Sequence, residues 1–208
     1  MSSEFGYIPE APEQSFGNNK GIFTPTDIYD LTRADKYTNY GQLELIETQT
    51  ASSDSFVDFT SIQESTYNVH FMTVSITDVS SATYLGIRFY ESGVLETASV
   101  YQEAYQNCQA NGTFSEVKST ARNQIITTQS NAINSSMNIY IYFYNLGDSA
   151  KYSFTTAQGN GITTTGTSYN AYFGSGVLPQ TSTVNGIRIL DNFGNMTGTI
   201  SLYGIRYS

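Results

Sequence analysis

Alternation with a period of two dominates the chain from residue 43 onward. Residues 139–144 are the clearest case: Ile139, Ile141 and Phe143 fall on one face, Tyr140, Tyr142 and Tyr144 on the other, the spacing of a half-buried strand. Residues 69–76 set Val69, Phe71 and Thr73 against His70, Met72, Val74 and Ile76, and residues 84–90 set Leu85, Ile87 and Phe89 against Tyr84, Arg88 and Tyr90. Further strands are predicted at 43–48, 55–59, 98–105, 123–128, 151–156, 169–173, 186–190 and 199–206. Ser80-Ser81, Asn111-Gly112, Gly159-Asn160-Gly161 and Gly174-Ser175-Gly176 read as turns between them. Short strands this frequent, without intervening helices, predict an all-β fold: an antiparallel, jelly-roll-like β-sandwich over residues 43–208.

The first 42 residues follow neither period. Phe5, Tyr7, Ile8, Phe16, Ile22 and Phe23 are spaced irregularly, and Pro9, Pro12 and Pro25 leave only Pro179 for the rest of the chain. A solvated tail carries few aromatics, so residues 1–24 read as an extended arm that docks into a groove on its own domain or on a neighbour. One short helix is predicted at about 25–36. Thr24 can cap it, Pro25 takes the first helical position, Asp27 lies in the first turn, and Arg33 and Lys36 complement the dipole at the far end. Ile28 and Leu31 share a face of it.

Composition narrows the function. Charged residues are 13% of 208, about half of the roughly 25% usual in soluble domains, which suits an exterior that meets other protein better than one kept dispersed alone. The formal net charge is -9, with nine basic residues scattered singly. That argues against a phosphate-backbone footprint and against an anionic bilayer. No apolar run approaches the ~20 residues of a membrane span. The opening Met-Ser-Ser-Glu-Phe-Gly-Tyr-Ile-Pro has neither the basic start nor the apolar run of a signal peptide. One cysteine, Cys108, excludes an intrachain disulfide.

A search for chemistry finds little. The single histidine, His70, lies mid-strand and reads as a partly buried polar residue; a nucleophilic role would need Cys108 beside it. No nucleophile elbow, zinc motif or phosphate loop is present, and nitrogen and sulfur ligands are too few for a metal site. Asp54, Asp58, Glu91, Glu96, Asp148 and Asp191 show no paired spacing that glycoside hydrolysis would use, and no Asp-x-Asp pattern supports calcium at Asp148 or Asp191. The expectation is a protein without catalytic residues, metal or cofactor. Tyrosine stands out, with 17 Tyr and no Trp. The face formed by Tyr140, Tyr142 and Tyr144 has three readings: a cross-strand ladder, an inter-subunit surface or a ligand platform.

Two segments carry a resemblance. Gly21-Ile22-Phe23-Thr24-Pro25-Thr26-Asp27-Ile28-Tyr29-Asp30-Leu31 resembles a segment near the start of virion proteins from tailed bacteriophages, marine ones especially. Gly198-Thr199-Ile200-Ser201-Leu202-Tyr203-Gly204-Ile205 resembles the closing strand of jelly-roll domains in phage structural and tail-fibre proteins. The resemblance implies a non-enzymatic virion structural protein, tail- or fibre-associated or a decoration subunit, made in the host cytoplasm and carried in the virion. It also implies attachment to other virion proteins through the arm, with Phe16, Ile22, Phe23, Ile28, Tyr29 and Leu31 as the anchoring residues. Phage fibres are often trimers, so a homo-oligomer, with a trimer favoured, is expected. No nucleic-acid partner and no membrane insertion are expected. A carbohydrate-binding receptor adhesin that contacts a host surface glycan, and a capsid decoration protein of head-fibre type, are the alternatives.

Overall fold

Thr24 opens a helix as its sequence anticipates. Its hydroxyl accepts from the Asp27 backbone N–H at 3.2 Å, and Asp27 Oδ2 accepts from the Thr24 N–H at 2.8 Å. This closes a capping box that satisfies two otherwise orphaned donors. A computed structural model of the protein describes residues 14–15, 18–19, 24–34, 42–128, 131–164 and 168–206. The helix, α1, spans Pro25–Arg33 and ends at the C-cap Ala34, three residues before the expected end at 36. Thr32 donates its hydroxyl back to the Ile28 carbonyl at 2.7 Å, a bond that weakens the last turn. None of the α1 side chains is buried. Ahead of it, β1 (Gln14–Ser15) pairs antiparallel with β2 (Asn18–Asn19), a short ribbon within the stretch 1–24 that the sequence reads as an extended arm. The chain divides into one unit of residues 1–40 with 207–208 and a second unit, Gly41–Arg206.

The second unit is all β. In chain order its strands are β3 (Gln42–Asp54), β4 (Phe56–Phe59), β5 (Val69–Val79), β6 (Leu85–Glu91), β7 (Val94–Leu95), β8 (Tyr101–Gln109), β9 (Phe114–Arg122), β10 (Ile125–Ile126), β11 (Met137–Tyr144), β12 (Ser153–Ile162), β13 (Tyr169–Leu178), β14 (Val184–Asp191) and β15 (Met196–Arg206). They form an eight-stranded sheet, β3-β15-β5-β11-β12-β13-β8-β9, and a smaller one, β10-β6-β14-β4, to which β7 adds beside β6. Eight of these strands trace a jelly roll. The chain passes from β3 to β4, β5, β6, β10, β11, β14 and β15, and the two half-sheets read first-last-third-sixth and second-seventh-fourth-fifth of that set. Two insertions, β8–β9 and β12–β13, extend the large sheet beyond β11. The first and last strands, β3 and β15, pair along their length, so the fold closes on its own ends.

Alternation decides what is inside. Ile139, Ile141 and Phe143 of β11, with Met72, Val74 and Ile76 of β5, face Leu85, Ile87 and Phe89 of β6 and Ile187 and Ile189 of β14; all are buried. Phe89 meets Phe143 edge-on at 6.1 Å and Tyr101 at 6.2 Å, joining both sheets. Each such side chain removed from water contributes about 1.5–3 kcal/mol.

Three expectations need correction. Gly159-Asn160-Gly161 and Gly174-Ser175-Gly176 are not turns; they lie within β12 and β13. A Cβ on Gly176 would stand 2.4 Å from an Ile125 methyl, and one on Gly174 would stand 2.2 Å from Tyr105 Cβ. Glycine is there because other chain segments approach closely, not because the chain bends. The third correction is β9, which no alternation announced: its sequence FSEVKSTAR is polar, and it is an exposed edge strand.

Candidate functional site

The register of the large sheet aligns its outward side chains into four rows. The first runs Leu43, Ile205, Val69, Tyr144, Phe154, Val177 and Gln102; the second runs Leu45, Tyr203, Phe71, Tyr142, Thr156, Ser175 and Ala104. The third is Thr48, Ser201, Thr73, Tyr140, Gln158, Phe173 and Gln106, and the fourth is Thr50, Thr199, Ser75, Asn138, Asn160, Ala171 and Cys108. Among the described residues, none in these rows from β3 to β8 is Asp, Glu, Lys, Arg or His. Charge lies at the margins, as with Glu116 and Lys118 on β9, ion-paired at 2.7 Å, and Asp54 and Asp78 past the fourth row.

Tyr140, Tyr142 and Tyr144 therefore stand together on this face, as the alternation of 139–144 expects. The residues around them were not singled out from sequence. Phe71 packs against Tyr142 at 4.9 Å, Tyr203 at 6.1 Å and Tyr140 at 6.3 Å, and Tyr142 stacks on Tyr144 at 6.4 Å. Phe154 and Phe173 remain 43% and 49% exposed, large apolar areas left in water. The alternation of 69–76 put Phe71 opposite a buried face, the one signal that could have found it. Polar neighbours pair with one another: Ser75 donates to Asn138 Oδ1 at 3.1 Å, and the Thr48 and Ser201 hydroxyls lie 2.9 Å apart. Beside Phe154, the short side chains of Ala104 and Ser175 floor an open depression of about 610 Å³, bounded by Val177, Gln102, Lys118 and Thr120.

The other candidates are dispersed. His70 points inward, buried, with Nε2 donating to the Ile62 carbonyl at 2.7 Å, and desolvation holds its pKa below the ordinary value. Cys108 lies on the opposite face, four strands away, so the two do not meet. Asp58 accepts from Arg188 Nε and Nη2, at 2.7 and 2.6 Å, and from the Tyr90 hydroxyl at 2.8 Å. Glu96 is held below the usual carboxylate range mainly by the Ala98 backbone N–H. Asp148 pairs with Lys151 at 2.9 Å, and buried Asp191 accepts from Thr83 and from the backbone of Phe193 and Gly194. Among the described residues, no three His, Cys, Asp or Glu converge as a metal cage would need. One buried carboxylate was not anticipated. Glu103, pushed upward by desolvation, accepts from Arg122 at 3.0 Å and from the Ile126 N–H at 2.6 Å, tying β8 to β10.

Of the anchoring residues, Ile28, Tyr29 and Leu31 lie on α1, with Tyr29 63% exposed; Phe16, Ile22 and Phe23 lie outside the described residues. No helix among the described residues is long and apolar enough to cross a membrane. No protein-family model matches the chain, and no curated protein matches it.

Proposed function

We propose that this chain is a non-enzymatic structural subunit of a tailed-bacteriophage particle, tail- or fibre-associated or a decoration protein, held by its N-terminal arm and contacting other subunits through the outer face of its large sheet. The observation that carries the reading is the absence of charge from four rows across seven strands. Interface centres are depleted of charge and enriched in Tyr and Phe, and this face combines both properties. A freely solvated sheet face has no physical reason to exclude every ionised group. The likeness of residues 21–31 and 198–205 to phage virion proteins supplies the setting, and a head-fibre decoration subunit is the same reading with a different attachment point.

Mass spectrometry of particles purified from the virus that encodes the chain tests this. The chain is expected in stoichiometric amounts, and deleting residues 1–24 is expected to abolish its incorporation. Absence from particles would overturn the structural role; full incorporation of the truncated chain would overturn the anchoring.

A second reading, a receptor adhesin for a host glycan, draws on the depression beside Phe154, where an aromatic ring and the polar Gln102, Ser175 and Thr120 side chains surround open space. A glycan array probed with multivalent protein is expected to give signal that Phe154→Ala removes. Silence at high valency would count against it.

A further inference from the structure

The second row of the large sheet's outer face is divided by size. Its midline falls between β11 and β12, the fourth and fifth of eight strands. In the second row, Tyr142, Phe71 and Tyr203 stand one, two and three strands from that midline on one side. Thr156, Ser175 and Ala104 stand one, two and three strands from it on the other. Large thus mirrors small, and the small half floors the depression of about 610 Å³. In the third row the sizes reverse at the second strand, with Thr73 on one side and Phe173 on the other.

We infer that two copies of this chain pack face to face through these outer faces, about a two-fold axis running along the strands at the β11–β12 midline. Such an axis keeps each row against its own copy and exchanges the two halves. The Phe71 and Tyr203 rings of one copy enter the depression over Ser175 and Ala104 of the other, and Phe173 meets Thr73. An isologous contact requires this self-complementarity; ridge against hollow supplies it in the second and third rows, while the first row sets Tyr144 against Phe154, ring on ring.

Charge and area agree. Two chains of net charge -9 repel, but the rows bring no ionised group into contact from β3 to β8; the axis sets β9 against β3 of the other copy, where Lys118 and Glu116, paired with each other, face Leu45 and Thr48. Eight strands about 4.8 Å apart and four rows about 6.8 Å apart cover about 700 Å² per copy, close to the roughly 800 Å² per partner of a standard stable interface. Aligned sheets cross at about 30°, so the matching is tightest near the axis, where Tyr142, Phe71, Thr156 and Ser175 lie. This two-fold differs from the trimer that the phage resemblance implies, because a face packed against its own copy is used up by the pair.

The inference rests on the reading of this face as a protein contact and names the partner as a second copy. Light scattering on the full-length chain at tens of micromolar is expected to give twice the chain mass. Phe71→Lys and Ser175→Glu, each made separately, are expected to weaken association on the order of thirtyfold or more and to run as monomers. Mixing the two variants is expected to restore the dimer. In the mixed pair one symmetry-related contact joins the new ammonium to the new carboxylate while the other stays native. Within one chain the two positions are three strands, about 14 Å, apart and cannot pair. Circular dichroism checks folding, and Tyr203→Lys with Ala104→Glu repeats the design if a variant unfolds. A monomeric or trimeric native chain, single variants that stay dimeric, or a mixture that stays monomeric would each overturn the proposal. A chain found in particles yet monomeric in solution removes only the dimer; a dimer absent from particles removes only the virion role.

Discussion

The sandwich has two outer faces, and they handle charge in opposite ways. On the small sheet, Arg188 lies between Asp58, which it grips through two nitrogens, and the Phe56 ring, 3.7 Å from its guanidinium; Tyr90 closes the cluster, and Arg88 stands on the adjacent strand, reaching the Asn123 carbonyl. On the large sheet, four rows spanning seven strands hold no ionised group. Both faces belong to one chain with one composition, so a general scarcity of charge does not explain the difference. Charge is kept on the outer face of the small sheet and withheld from the rows of the large one, the difference that the proposed protein contact accounts for.

Perturbing the shared core gives the largest effect and leaves the comparison intact. Phe89→Ala removes the ring that touches Phe143 and Tyr101 and is expected to cost about 3–5 kcal/mol, read as a lower urea midpoint with one cooperative transition. Two separate transitions would mean that the faces belong to independent sheets. Next comes Asp58→Ala. It strands the Arg188 guanidinium, only 19% exposed, and is expected to cost about 1–3 kcal/mol in urea titration; a change near zero would make the small face a decorative ion pair. The pH response then sharpens the contrast. The large outer face carries no carboxylate or imidazole in its rows, so the imidazole response comes from His70 beneath it. Burial keeps that imidazole below its ordinary 6.5, so the unfolded chain binds the proton more tightly. Its contribution is full above about pH 6.5 and is lost as pH falls toward the folded pKa. Melting temperatures of the native chain and of His70→Gln should show a steeper acid loss in the native chain; parallel profiles would contradict it. The smallest change in folding stability is expected from Phe173→Ser, within about 0.5 kcal/mol, although it alters the proposed contact surface.

The parts of this picture that the sequence announced are those set by neighbours in the chain. The Ile139-Tyr140-Ile141-Tyr142-Phe143-Tyr144 alternation states which side chains are inward and which outward, and Thr24-Pro25-x-Asp27 states where the helix begins. What was hidden depends on pairing across the chain. Gly159 and Gly174 looked like bends, because their demand for glycine comes from Tyr172 and Tyr105 on other strands. β9 has too few apolar residues to mark itself, and an edge strand draws on one partner only. The uncharged face itself joins residues as distant as Leu45, Tyr203 and Ser175. Each is unremarked alone, and the row exists only once the register is fixed.

The most direct measurement is hydroxyl-radical footprinting of the chain in its assembled particle and free in dilute solution. Tyr140, Tyr142, Phe154 and Phe173 should lose reactivity on assembly, while Phe56 and Phe193, exposed outside these rows, should keep theirs. Equal labelling of Tyr140, Tyr142, Phe154 and Phe173 in both states would contradict the claim that the uncharged face is a protein contact.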